Sequence, residues 1–262
     1  MTIRLGAVGY LNARPLVHGL DRQPDRFSIR FDVPAKCATL LHEKAIDVGL
    51  IPSIEYLHRP DYRIVPGVAI ASQGPVVSVA LFSTRPTTAV RSIAIDNGSR
   101  TSVALLRILC AQWFDIEPKF VTLPPDLPSM LKRCDAGLLI GDQALFTDHD
   151  GLGLERTDLG EEWTAMTSLP FVYAFWAGRP GAVSADDVAA LKQARDAGLA
   201  HADEIARAYF PNDEDKARRG AEYLRDNVSY AFGDREQAGL RKFLEVAANL
   251  RLVANAGKLQ FY

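Results

Sequence analysis

The chain has 262 residues, of which 48% are apolar and 24% charged, with a net charge of −2. That length allows one large domain or two lobes with a core each, and the near-neutral charge argues against nucleic acid or an anionic membrane as a partner. No run approaches a membrane span and the first residues lack the basic and apolar regions of a secretory signal, so a cytoplasmic protein is expected.

Ile3, Leu5, Ala7 and Val8 predict a first strand, with Gly6 and Gly9 permitting close backbone approach where it ends. Tyr10, Leu11 and Asn12 then stand at a strand's carboxyl end, where open α/β sheets take their ligands, and a helix is expected to follow towards Leu20. On spacing alone Asn12, just before Ala13, Arg14 and Pro15, reads as a helix N-cap. Phe27, Ile29, Phe31 and Val33 alternate as a second strand; Pro34 opens a helix, and residues 47–51 form a short buried strand. Ser53 can cap the helix that follows or face the crevice, and both readings stand. Residues 63–71 predict another strand, and 75–82 an apolar strand interrupted by Ser78, whose hydroxyl needs a partner if buried.

The Arg, Pro and Thr of residues 84–90 mark a connection, after which a new unit begins with a strand at 93–95 and a helix over 101–114. The intervening DNGSRTS is the best anion site in the chain. Ser99, Thr101 and Ser102 offer hydroxyls, Arg100 a guanidinium, and the helix start free N–H groups. A capped helix with a solvated Arg is the plainer reading of the same residues. A segment starts at Phe120 and Val121, prolines follow at 124, 125 and 128, and 136–140 is a strand ending at Gly141 and Asp142. Asp142 can serve a helix start or a substrate. Residues 151–163 read as loop, and 169–177 as an aromatic strand containing Phe171 and Tyr173. The remainder is helical, over 184–209 and around 217–224 and 240–247, and is assigned to scaffold and homodimer contacts.

Three cysteines, Cys37, Cys110 and Cys134, lie far apart without CxxC spacing, and the five histidines form no HExxH pattern. Buried thiols and no metal or cofactor are expected.

Gly6, Val8, Tyr10, Leu11, Asn12, Ala13, Pro15 and Leu16 spell GxVxYLNAxPL, which resembles the opening of the chorismate dehydratases of the futalosine route to menaquinone. The likeness continues through residues 46–57, 74–83, 99–106, 137–145 and 169–178. The sister family that acts later in that route carries a tract resembling IHEG, with a His as base, where this chain has IGDQ at 140–143.

The resemblance implies a two-lobed α/β fold of the periplasmic-binding-protein type (type II), with two crossing strands and an interlobe cleft. Residues 1–84 and 174–262 would form a discontinuous first lobe and 85–173 the second. It further implies a hydro-lyase that converts chorismate to 3-[(1-carboxyvinyl)oxy]benzoate. Asn12 and Ser78 would be catalytic; Tyr10, Leu11, Ser53, Ser99, Arg100, Thr101, Ser102, Gly141, Asp142, Phe171 and Tyr173 would bind substrate. With no His–carboxylate pair expected at the site, the substrate's own side-chain carboxylate is left as the base. The alternative is a binding protein that captures an aromatic or carboxylated solute without chemistry.

Overall fold

The computed structural model describes residues 2–98 and 100–262 and arranges them around two five-stranded sheets built on one plan. In the first, β1 (Ile3–Val8) lies parallel between β2 (Phe27–Asp32) and β3 (Val48–Pro52), with α1 (Pro34–His42) connecting β2 to β3. β10 (Phe171–Gly178) then runs antiparallel to β3 and to β4 (Arg63–Ser72). The second sheet repeats this: β6 (Ser92–Ile95) is parallel to β7 (Lys119–Thr122) and β8 (Ala136–Ile140), with α2 (Arg100–Gln112) crossing over, α3 (Leu127–Leu131) leading into β8 and α4 (Gly141–Phe146) following it. β5 (Val79–Ser83) is its antiparallel member, between β8 and β9 (Glu155–Asp158). Parallel strands flanked by helices bring their carboxyl ends to a common edge, and the two edges face each other.

By sheet membership β5 goes with the second sheet, although the sequence reading kept residues up to 84 in the first lobe. The chain changes sheets through residues 73–78 and back through 159–170. The run 75–82 is not one continuous strand. Val77 has φ +56°, and the Ser78 N–H donates to the Val76 carbonyl at 2.7 Å, closing a three-residue turn just before β5.

Other expectations are corrected. The stretch after β1 forms three short 3-10 turns, Leu11–Ala13, Pro15–Val17 and Leu20–Arg22, because Pro15 withholds an N–H and Gly19 takes a left-handed φ of +73°. Residues 151–163 contain β9 and the start of α5 (Leu159–Thr167), whose first N–H groups are capped by Asp158. The expected helix over 184–209 breaks at His201 into α6 (Ala185–Ala200) and α7 (Ala202–Tyr209).

α8 (Glu214–Asp226) and α9 (Asp234–Asn249) complete the chain's helices around the first sheet. Trp163, Phe171 and Phe243 meet edge to face with centroids 4.9–6.2 Å apart. Each fully buried ring of this kind contributes about 1.5–3 kcal/mol by burial. Phe171 is spent on this core and does not reach the cleft. Bridges from Ser229 and Phe261 cover the β4 edge. Among the described residues no helix is long and apolar enough to cross a membrane.

Candidate active site

Between the sheet edges lies a cleft of about 60 Å³. Of the residues singled out from sequence, Tyr10, Asn12, Ser78, Arg100, Thr101, Ser102, Gly141 and Tyr173 line it. Leu11, Ser53, Asp142 and Phe171 do not, and Ser99 lies outside the described residues.

Asn12 is not a helix cap. It sits inside a 3-10 turn whose cap position is Tyr10, and its Nδ2 donates to the Tyr223 hydroxyl at 3.0 Å. Tyr223 in turn donates to Ser78 Oγ at 2.7 Å. The resulting chain joins three segments that sequence separates widely. Two valences are left over: among the described residues Asn12 Oδ1 has no hydrogen-bond partner although buried, and the Ser78 proton has no recorded acceptor. An unsatisfied buried acceptor costs about 1–3 kcal/mol, and Asn12 lines the cleft, which leaves this oxygen with capacity for one more donor. Burial, opposed by the hydrogen bonds to Ser78 and Asn12, pushes the Tyr223 phenol well above its usual range, so it stays protonated.

Ser78 is only 1% exposed and is held by its backbone. Its carbonyl accepts the Gly141 N–H at 2.7 Å, and the preceding turn rests on Asp158. That carboxylate, 4% exposed, accepts N–H groups from Val76, Val77, Gly160 and Glu161 at 2.7–3.1 Å and a contact from Arg156 at 3.2 Å. One buried anion thus caps α5 and holds a positive-φ valine in place. Positive φ at a β-branched residue is strained, and such strain persists only where the surroundings enforce it.

Asp142 joins the lobes from behind the cleft. It accepts the Leu11 N–H at 3.1 Å and the Tyr209 hydroxyl at 2.6 Å, which explains why neither Leu11 nor Asp142 contacts the cavity. Burial raises its carboxyl above the ordinary value, against the lowering influence of Tyr209 and the Leu11 N–H. Beside it Gly141 has φ +60°, and a Cβ there would lie 2.8 Å from the Tyr10 ring. Glycine is therefore required on two counts. Burial, then the charges of Asp96 and Asp142, push the Tyr10 phenol up to about 12.

On the other side, Thr101 accepts the Ile54 N–H at 3.2 Å, while Ser53 gives its proton to the Val172 carbonyl at 2.8 Å. Ser53 does not cap the segment it opens, and it does not line the cleft. Arg100 pairs with Glu55 at 2.8 Å and remains 40% exposed. Burial would raise the Glu55 carboxyl, but the His42 hydrogen bond and Arg100 outweigh it and hold it below the ordinary range. Tyr173, whose hydroxyl meets Ser72 Oγ at 3.0 Å, is buried and also lines the cleft.

Sequence reasoning missed Tyr209, Tyr223 and Asp158. Pattern alone assigns the helices bearing the two tyrosines to scaffold and homodimer contacts. The available signal was chemical: a tyrosine on a buried helix face must find a partner for its hydroxyl. Spacing also concealed a cluster outside the cleft, where His42, Glu55 and His58 bring potential metal-ligand atoms within 4.8 Å of one another.

A family model described as menaquinone biosynthesis matches residues 3–249. The chain is 31% identical to a chorismate dehydratase of Thermus thermophilus, over 92% of this chain and 93% of that protein. Among solved structures, protein AF1704 from Archaeoglobus fulgidus matches with a TM-score of 0.77 at 21% identity, covering 96% of this chain and 98% of that one. The periplasmic aliphatic sulphonate binding protein SsuA of Escherichia coli matches with a TM-score of 0.63 at 18% identity, covering 98% and 94%. These likenesses bear out the two-lobed binding-protein fold, and the chain belongs to the menaquinone-biosynthesis family.

Proposed function

We propose that the chain is a chorismate dehydratase, a hydro-lyase that removes water from chorismate and leaves 3-[(1-carboxyvinyl)oxy]benzoate for menaquinone synthesis. Family membership and the Thermus relative support the reading. The observation that carries it is the pair of unspent valences on one hydrogen-bonded chain, the Asn12 carbonyl and the Ser78 proton. A ring hydroxyl is itself one donor and one acceptor, so it complements that pair.

In the reaction, the ring carbon bearing the enol ether loses its proton to the substrate's own side-chain carboxylate. The freed electron pair becomes a ring double bond as the neighbouring C–O bond breaks, the departing hydroxide takes the same proton back from the side-chain carboxyl, and water leaves an aromatic ring with the carboxylate regenerated. Ser78 stabilises the departing oxygen by donating to it, and Asn12 fixes its orientation. Arg100 and the start of α2 hold a substrate carboxylate. Small-molecule sites usually measure about 300–1,000 Å³, so the lobes must part to admit substrate.

Ultraviolet spectra of the purified protein mixed with chorismate test this reading. Growth of a benzoate absorbance is expected. Binding with an unchanged spectrum would overturn it in favour of solute capture.

A further inference from the structure

We infer that His42, Glu55 and His58 form a zinc site at the outer edge of the cleft, distinct from the dehydration chemistry. The three residues are 13 and 3 positions apart, and the fold aligns them. Glu55 and His58 lie three residues apart in the 3-10 segment Ser53–His58, where such side chains eclipse, and His42 is the last residue of α1. His42 Nε2 is 3.1 Å from Glu55 Oε2, and the two imidazoles stack with centroids 4.4 Å apart.

Two imidazoles and one carboxylate make a ligand set suited to zinc with an open fourth position. With bonds of about 2.0–2.2 Å, tetrahedral donors sit about 3.4 Å apart. The His42–Glu55 pair meets this already, and His58, which is exposed, closes the remaining gap by side-chain rotation.

An independent feature supports the assignment. The other ring nitrogen of His42, Nδ1, lies 2.8 Å from the Tyr62 hydroxyl, an outer partner able to accept the Nδ1 proton and orient the ring once Nε2 exchanges its Glu55 hydrogen bond for the ion. Arg100 now occupies Glu55 at 2.8 Å, and it is a replaceable counter-charge because its head group is partly solvated. A groove of about 820 Å³ runs past Glu55, His58 and Arg100, giving the ion a route in and Arg100 room to withdraw.

The test is calorimetric titration of the tag-free, full-length chain with zinc chloride, with cobalt(II) absorption reporting coordination geometry. One equivalent should bind, with tetrahedral cobalt bands. His58→Ala, at an exposed position that leaves the fold intact, should weaken binding at least ten-fold. Glu55→Gln should do the same, Tyr62→Phe should weaken binding about ten-fold, and Arg100→Ala should bind no more weakly than wild type. Absence of saturable binding, or stoichiometric binding that survives both His42→Ala and His58→Ala, would overturn the site.

Discussion

Where Asn12 reaches Ser78 through Tyr223, the two halves of the molecule are joined by neutral groups; where Glu55 reaches Arg100, they are joined by ions. The first seam is buried and directional. Neutral donors and acceptors avoid the desolvation cost of charge, and each proton's direction is set by the next group along. In the second, Arg100 is 40% exposed while Glu55 is 11% exposed and is held by His42 as well, so the guanidinium end alone keeps solvent access. On the proposed reading, reaction geometry sits on the buried neutral seam, and recognition of a charged substrate falls to Arg100, whose end of the ionic seam meets solvent.

The largest effect should come from the brace behind the neutral seam. Asp158→Ala strips the acceptor from four backbone N–H groups and should lower unfolding stability by about 3 kcal/mol or more, read from the denaturant midpoint. A loss under about 1 kcal/mol would mean the Val77 turn holds itself. Tyr223→Phe breaks the chain in the middle while keeping the ring. It should lower kcat about ten- to hundred-fold with a modest stability change, and unaltered turnover would detach the tyrosine from the chemistry.

On the ionic seam, Arg100→Ala should raise KM about ten-fold and leave kcat within a few-fold. An equal fall in kcat would move Arg100 into the reacting geometry. The smallest effect belongs to Asp142, whose folded carboxyl titrates above its ordinary value. Its contribution to stability is full at acid pH, below the unfolded value, and is lost as pH rises through the raised folded value. The stability of wild type relative to Asp142→Asn should therefore decline with rising pH; a difference constant with pH would show that the carboxyl is not desolvated.

The sequence pattern made the repeated βα units legible because each strand is a short apolar run and each crossover helix has a local start signal. α5 was not legible. Its cap, Asp158, is the last residue of a short polar strand, ERTD, that carries no alternation. The Asn12 and Ser78 positions were reached through resemblance, since Asn12 alone looks like a cap. Tyr223 could not be read from spacing: its partner Ser78 is 145 positions away, and nothing local distinguishes a tyrosine that fills a core from one that also relays a hydrogen bond. Asp142 was found as a polar strand end, but its role changed because Tyr209, 67 residues further on, turns the carboxylate away from the cavity.

The central claim, that a neutral amide and hydroxyl pair drives water from the ring, is tested most directly by the single-turnover rate of Ser78→Ala at saturating chorismate, with substrate affinity measured in parallel. The account predicts a rate at least about a hundred-fold below wild type, the order seen when one such donor is removed, with affinity changed only a few-fold. A rate within about three-fold of wild type, with the protein folded and substrate bound, would contradict it.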